Sequence, residues 1–124
     1  MGVKEFFFDT YALVEISKGN KNYDSYRDNV GLVVTKLNLM EFHYSLLRTV
    51  GKEEADKLYD RLLPFVVEVT DRIIKQANQL KFLYRKRKLS YIDCIGYIIA
   101  KTLNIKFLTG DKEFTDLDNV EFVK

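Results

Sequence analysis

The chain is poor in the residues that many enzyme chemistries require. Its one cysteine, Cys94, excludes an internal disulfide and any multi-cysteine zinc site. Its one histidine, His43, excludes a histidine-rich metal site and argues against a Ser-His-Asp triad. Pro64 is the only proline, and no Pro/Gly/Ser-rich linker, low-complexity tract or internal repeat interrupts the sequence. No apolar run approaches the ~18–20 residues of a membrane span. The opening stretch, Met1 to Phe8, is short and acidic for a signal peptide, with Glu5 and Asp9 breaking it. The expectation is a cytoplasmic protein without a membrane role. An excess of either charge is also missing: Lys+Arg is 20 against Asp+Glu 18, a net charge of +2. That balance allows a nucleic-acid partner without indicating one.

What is present is globular. Apolar residues are 47% and charged residues 31% of 124, which suits one domain over 1–124 with a core of its own. With cysteine and histidine nearly absent, carboxylates must carry any chemistry.

Short apolar runs alternate with helical patterns. Phe6-Phe7-Phe8, Gly31 to Val34, Phe65 to Val69, Lys106 to Thr109 and Val120 to Val123 read as five strands. Between them, helices are expected over 11–16, 36–50, 52–63, 70–88 and 91–103. Thr35 and Thr70 serve as N-caps, and Gly51 and Pro64 as stops. The alternation predicts an α/β fold with a mostly parallel five-stranded sheet and helices on both faces.

Ligand sites of open α/β sheets lie beyond the carboxyl ends of the strands. Asp9 follows the first strand and Asp111 follows the fourth across Thr109-Gly110. Glu41 lies two turns into the helix after the second strand. Asp93 sits near the start of an apolar helix containing Ile92, Cys94, Ile95, Ile98 and Ile99, where an unpaired carboxylate is costly. Asp93 also reads as a cap of its own helix beside Ser90. Asn38, Glu41, Ser45 and Arg48 form a polar stripe between two apolar rows, one of them Leu37, Met40, Tyr44 and Leu47. Such a stripe suits either a cleft wall or an ordinary solvated face.

Four acids do not converge without a counter-charge. Two carboxylates ~4 Å apart repel by about 4 kcal/mol at an effective dielectric near 20. A hard divalent cation, Mg²⁺ or Mn²⁺, is the natural partner for oxygen donors.

The motifs Phe7-Phe8-Asp9-Thr10-Tyr11-Ala12-Leu13, Thr35 through Glu41, Leu89-Ser90-Tyr91-Ile92-Asp93, and Leu108-Thr109-Gly110-Asp111-Lys112-Glu113-Phe114 span nearly the whole chain. In them the sequence resembles the PIN-domain ribonucleases, and at this size the VapC-type toxins of toxin–antitoxin pairs. The resemblance implies strand order 3-2-1-4-5 and Mg²⁺- or Mn²⁺-dependent endonuclease activity on RNA. It makes Asp9, Glu41, Asp93 and Asp111 the catalytic and metal-binding quartet, with Thr10, Asn38 and Thr109 supporting them. It also implies a homodimer and a cognate antitoxin protein. Asp116 is a further acid whose register leaves it unassigned.

The dense basic run Arg85-Lys86-Arg87-Lys88 reads either as a solvated helix end or as an RNA phosphate contact. His43 and Cys94 read as structural. A receiver domain is excluded because Asp9 stands alone after the first strand and no mid-chain strand ends in Asp. A non-catalytic PIN fold acting as a binding or scaffold module is the competing function.

Overall fold

A computed structural model describes residues 2–124. Strands β1 (Lys4–Phe8), β2 (Val30–Val33), β3 (Lys106–Thr109) and β4 (Val120–Phe122) form one parallel sheet in the order β2-β1-β3-β4. Helices α1 (Thr10–Ser17), α2 (Lys36–Thr49), α3 (Lys52–Leu62), α4 (Asp71–Leu83) and α5 (Tyr91–Thr102) lie in the crossovers from β1 to β2 and from β2 to β3, and a 3-10 turn, Lys112–Phe114, lies between β3 and β4.

The Phe6-Phe7-Phe8 run is fully apolar because β1 is central and covered on both faces. Phe7 joins Phe107 in the core under α4 and α5, with Ile73, Tyr97 and Phe114. Phe6, Phe8 and Leu108 point the other way, into the core formed with α1, α2 and α3 through Leu13, Leu39 and Phe42. Strand periodicity thus sends alternate residues of one strand into two separate cores. Gly96 lets α5 approach closely: a Cβ there would meet the Phe7 ring at 2.5 Å and the Phe107 ring at 3.1 Å.

The expected third strand, Phe65 to Val69, is not one, so the sheet has four strands rather than five. It shrinks to a parallel bridge between Val66 and Val34, held by Val34 N–H to the Phe65 carbonyl (3.2 Å) and Val67 N–H to the Val34 carbonyl (2.9 Å). Two neighbours confine it. Leu63–Phe65 is a 3-10 turn with Pro64 near its start, and Thr70 already caps α4 through the Ile73 N–H. The bridge lies beside Val34, just past β2, where the order 3-2-1-4-5 placed the third strand.

Helix α4 also ends earlier than the pattern predicts, at Leu83 rather than near Lys88. Residues 85–88 are therefore a loop and not a helix terminus. Thr35 caps α2 as expected, and α5 is capped by Ser90 rather than by Asp93 itself, each in a capping box with Asn38 and Asp93 respectively. Gly51, at φ 91°, follows the Val50 C-cap as the expected stop of α2 and also takes the N-cap position of α3.

Candidate functional site

Asp9, Asp93 and Asp111 are placed by the local rules that end a strand or start a helix, and Glu41 by the second turn of α2. Asp9 ends β1 and caps α1, and is 3% exposed. One of its oxygens accepts the Thr10 N–H (2.9 Å) and the other accepts the Thr109 hydroxyl (2.7 Å). Thr109 ends β3 next to β1, so parallel pairing brings residues one hundred apart in sequence into contact. The same Thr109 oxygen accepts the Asp111 N–H at 3.0 Å, and Asp111 in turn caps the 3-10 turn Lys112–Phe114 by accepting the Glu113 N–H. Gly110 between them is obligatory by contact: a Cβ would fall 2.1 Å from the Tyr11 ring and 2.6 Å from the Val123 carbonyl.

Glu41 enters from α2. It accepts the Thr10 hydroxyl at 2.6 Å, and Thr10 accepts from the Asn38 amide at 3.1 Å. Asn38, 1% exposed, is fixed by Thr35, whose N–H and hydroxyl both donate to its carbonyl oxygen. The carboxylate orientation thus descends through Thr10 and Asn38 to the capping box at Thr35. Asp93 enters from α5, half-buried, where it accepts the Ser90 N–H at 3.3 Å. It is the third residue of the capping box that Ser90 opens and also a wall of the cleft, so the two readings of Asp93 hold together.

The four acids line one open cleft of about 600 Å³ at the carboxyl end of the sheet, with Thr10, Ser90 and Lys112. Among the described residues none of the four belongs to an ion pair; the paired acids are Glu15, Asp24, Glu53, Asp56, Asp116 and Asp118. Burial, with Asp93 and then Glu41 nearby, pushes the Asp9 carboxyl up to about 8, against the lowering from its Thr109 and Thr10 hydrogen bonds. Burial also raises Asp93, and Asp111 and Glu41 add to the effect while Ser90 opposes it.

The donor set is oxygen only, which fits a hard cation. No three His, Cys, Asp or Glu side chains among the described residues stand close enough to hold an ion by themselves. Mg²⁺ commonly keeps several waters and takes one or two carboxylates with substrate phosphate, and that sparse ligation fits this cleft.

Other expectations fare unevenly. Ser45 and Arg48 continue the α2 stripe away from the site, and Arg48 stacks over Tyr44 at 5.5 Å. Met40, Tyr44 and Leu47 are exposed, so that apolar row is surface and not a cleft wall. Arg87 makes a two-pronged pair with Asp116 (2.7 and 2.7 Å) and donates to the Glu113 carbonyl. It is held in the fold rather than presented to a ligand, and Asp116 stands outside the cleft lining. Arg85, Lys86 and Lys88 are exposed. His43 joins α2 to α3 through Asp56 at 2.8 Å, and Cys94 is buried.

Sequence reading missed Lys112 and Lys124, which also line the cleft. Lys112 follows Asp111 directly and was open to inference. Lys124 reaches the cleft only because β4 lies beside β3, which no local pattern encodes.

Past the strand ends of a parallel α/β sheet, the chain thus carries one cleft lined by four acids and two lysines. The PIN domain family model matches residues 6–120, and the chain belongs to that family. No curated protein matches it in sequence. Solved structures share its fold at low identity. The Sarcin-Ricin loop cleaving toxin VapC20 of Mycobacterium tuberculosis is 19% identical over 96% of this chain and 99% of that one, TM-score 0.76. A toxin–antitoxin complex from Klebsiella pneumoniae is 16% identical over 93% and 94%, TM-score 0.74. VapBC2 of Rickettsia felis, bound to a DNA fragment from its promoter, is 15% identical over 97% and 99%, TM-score 0.72.

Proposed function

We propose that this chain is a metal-dependent endoribonuclease and the toxin of a toxin–antitoxin pair. The observation that carries the reading is Asp9: a buried carboxylate without a cationic partner, facing three more acids across one cleft. Asp9, Asp93, Asp111 and Glu41 are the residues that would hold Mg²⁺ or Mn²⁺. Such an ion, when bound, polarises a phosphoryl oxygen and makes bound water acidic enough to attack.

The chain's own contribution is orientation. Thr109 fixes one oxygen of Asp9, and Thr10 fixes Glu41. Asn38 holds Thr10 from below, so its loss would loosen Glu41 without removing a carboxylate. Burial and the neighbouring acids favour the protonated form of Asp9, so a cation bound there would displace a proton.

The similar structures from Klebsiella pneumoniae and Rickettsia felis support an antitoxin protein as partner. A homodimer and a cytoplasmic site of action complete the proposal. The competing reading, a PIN fold that binds without cutting, draws on the spacing of the acids, since no three converge in the described residues. RNA cleavage separates the two. Wild-type protein with millimolar Mn²⁺ should cut RNA, and excess EDTA or Asp93→Asn should stop it. Equal cleavage in all three, or none with any divalent metal, would refute the nuclease.

A further inference from the structure

Beside the acidic cleft lies a patch of different chemistry. Tyr91 and Phe82 are large aromatic side chains left 65% and 68% exposed. With Asn78, Lys81 and Arg85 they line a surface hollow of about 470 Å³ that contains no acid. Each ring carries a cation: the Lys81 ammonium stands 4.8 Å from the Tyr91 centroid and the Arg85 guanidinium 4.6 Å from that of Phe82. Backbone carbonyls fix both cations, Leu89 accepting from Lys81 and Phe82 from Arg85. Among the described residues neither cation is in an ion pair, nor are Lys86 and Lys88, the exposed lysines of the adjoining loop. The hollow is continuous with the cleft along the chain, because Tyr91 immediately follows Ser90, a cleft residue, and precedes Asp93 by two positions.

We propose that Tyr91 and Phe82 form a stacking site for unpaired nucleobases of a single-stranded RNA whose backbone enters the acidic cleft. This rests on the nuclease reading and deepens it, by assigning the bases of the strand to two named aromatic residues beside the cleft. The two parts of the surface divide the work. An acidic cleft repels phosphates except at a bound cation, so affinity for the strand has to arise next to it. Exposed rings give that affinity without sequence preference, since every base has a π-face, and adjacent cations meet the phosphates. Paired bases do not present their faces, so a duplex gains nothing from the rings. A protein partner is less suited: the hollow is small, cationic and unmatched by any acid of its own, which complements a polyanion.

Binding tests this with the full chain in EDTA, where no cutting competes. Fluorescence anisotropy would compare a labelled 12-nucleotide single-stranded RNA with a blunt duplex of the same sequence. Tyr91→Ala and Phe82→Ala should each weaken single-strand binding by about five- to a hundredfold. Tyr91→Phe should stay within about twofold, and duplex binding should not change. A 2-aminopurine placed in the strand should be quenched by wild type and less so by Tyr91→Ala. Unchanged single-strand affinity in both alanine variants overturns the proposal, as does an equal loss for strand and duplex. A dimer in sedimentation that Tyr91→Ala dissolves, with RNA affinity intact, overturns it in favour of a contact between copies. Failure of the nuclease reading looks different: wild type would stack the strand in EDTA yet cut nothing with Mn²⁺.

Discussion

Two aspartates of the cleft and two of the rim beyond it are the same residue type pushed in opposite directions. Asp9 and Asp93 are raised, because burial and neighbouring carboxylates disfavour their charge. Asp116 and Asp118, a few residues past Asp111, are lowered: Asp116 faces Arg87, and Asp118 accepts from Tyr97 and Lys101. The rim acids are finished structurally. Each has its partner, and each ties a loop to a helix or to the segment before α5. The cleft acids are unfinished, held in place by hydroxyls and backbone N–H groups but left without a cation. That contrast is the physical content of calling one region a candidate site and the other scaffold, and neither sequence position nor residue type conveys it.

The largest test of the contrast is catalytic. Asp93→Asn keeps the side chain's shape and its ability to accept the Ser90 N–H, so the fold should persist by circular dichroism. RNA cleavage should fall by about a thousandfold, the order expected when a group that stabilises developing charge is removed. Asp116→Asn should leave cleavage within about twofold. Comparable losses in both would erase the distinction between cleft and rim.

The next effect is on stability against pH. A carboxyl whose folded-state value is raised from 3.8 to about 8 stabilises the protein fully below pH 4. That contribution is lost as pH rises from about 4 to 8. Metal-free protein should therefore lose stability over this window, on the order of 3 kcal/mol once water entry into the cleft is allowed for. Urea melts in EDTA at pH 5 and pH 8 measure it. The opposite slope, with m-values unchanged, would mean Asp9 is ionised and paired.

Smaller still is the relief of repulsion. In metal-free protein Asp93→Asn should stabilise by about 1–2 kcal/mol, and millimolar Mn²⁺ should reverse the ranking by favouring wild type. Asp9→Asn should gain less. Its new amide would face the Thr109 oxygen, which already accepts the Asp111 N–H, and the Thr109 hydroxyl would lose its acceptor. Thermal melts with and without Mn²⁺ check both, and identical metal shifts in wild type and Asp93→Asn would argue against a shared ion.

The smallest effect belongs to the rim. Arg87→Gln breaks an exposed pair, and its melting shift should be slight and shrink further in high salt. A shift as large as that of a cleft variant would show that the loop at 85–88 depends on Asp116 more than surface pairing allows.

The sequence by itself determined the class of fold and singled out four acids that the structure gathers along one cleft. The Phe6-Phe7-Phe8 run dictates a strand buried on both faces, and Thr35, Thr70 and Ser90 mark helix starts, because capping and periodicity act within a few residues. Local rules failed where competing neighbours decided. Phe65 to Val69 has strand composition, yet the turn at Pro64 and the cap at Thr70 leave it one bridge. The row of Met40, Tyr44 and Leu47 has the spacing of a buried face, but α2 turns its other side, with Leu39, Phe42 and Leu46, to the core. Only tertiary structure decided the hydroxyl contacts from Thr109 to Asp9 and from Thr10 to Glu41. Parallel pairing of β1 with β3 brings together groups 100 residues apart, and the packing of α1 on α2 brings together groups 31 residues apart. Tertiary structure also separated Arg87, claimed by Asp116, from the unpaired lysines on either side of it. A charge's partner is set by distance in space, and for these side chains that distance exists only once the sheet has formed.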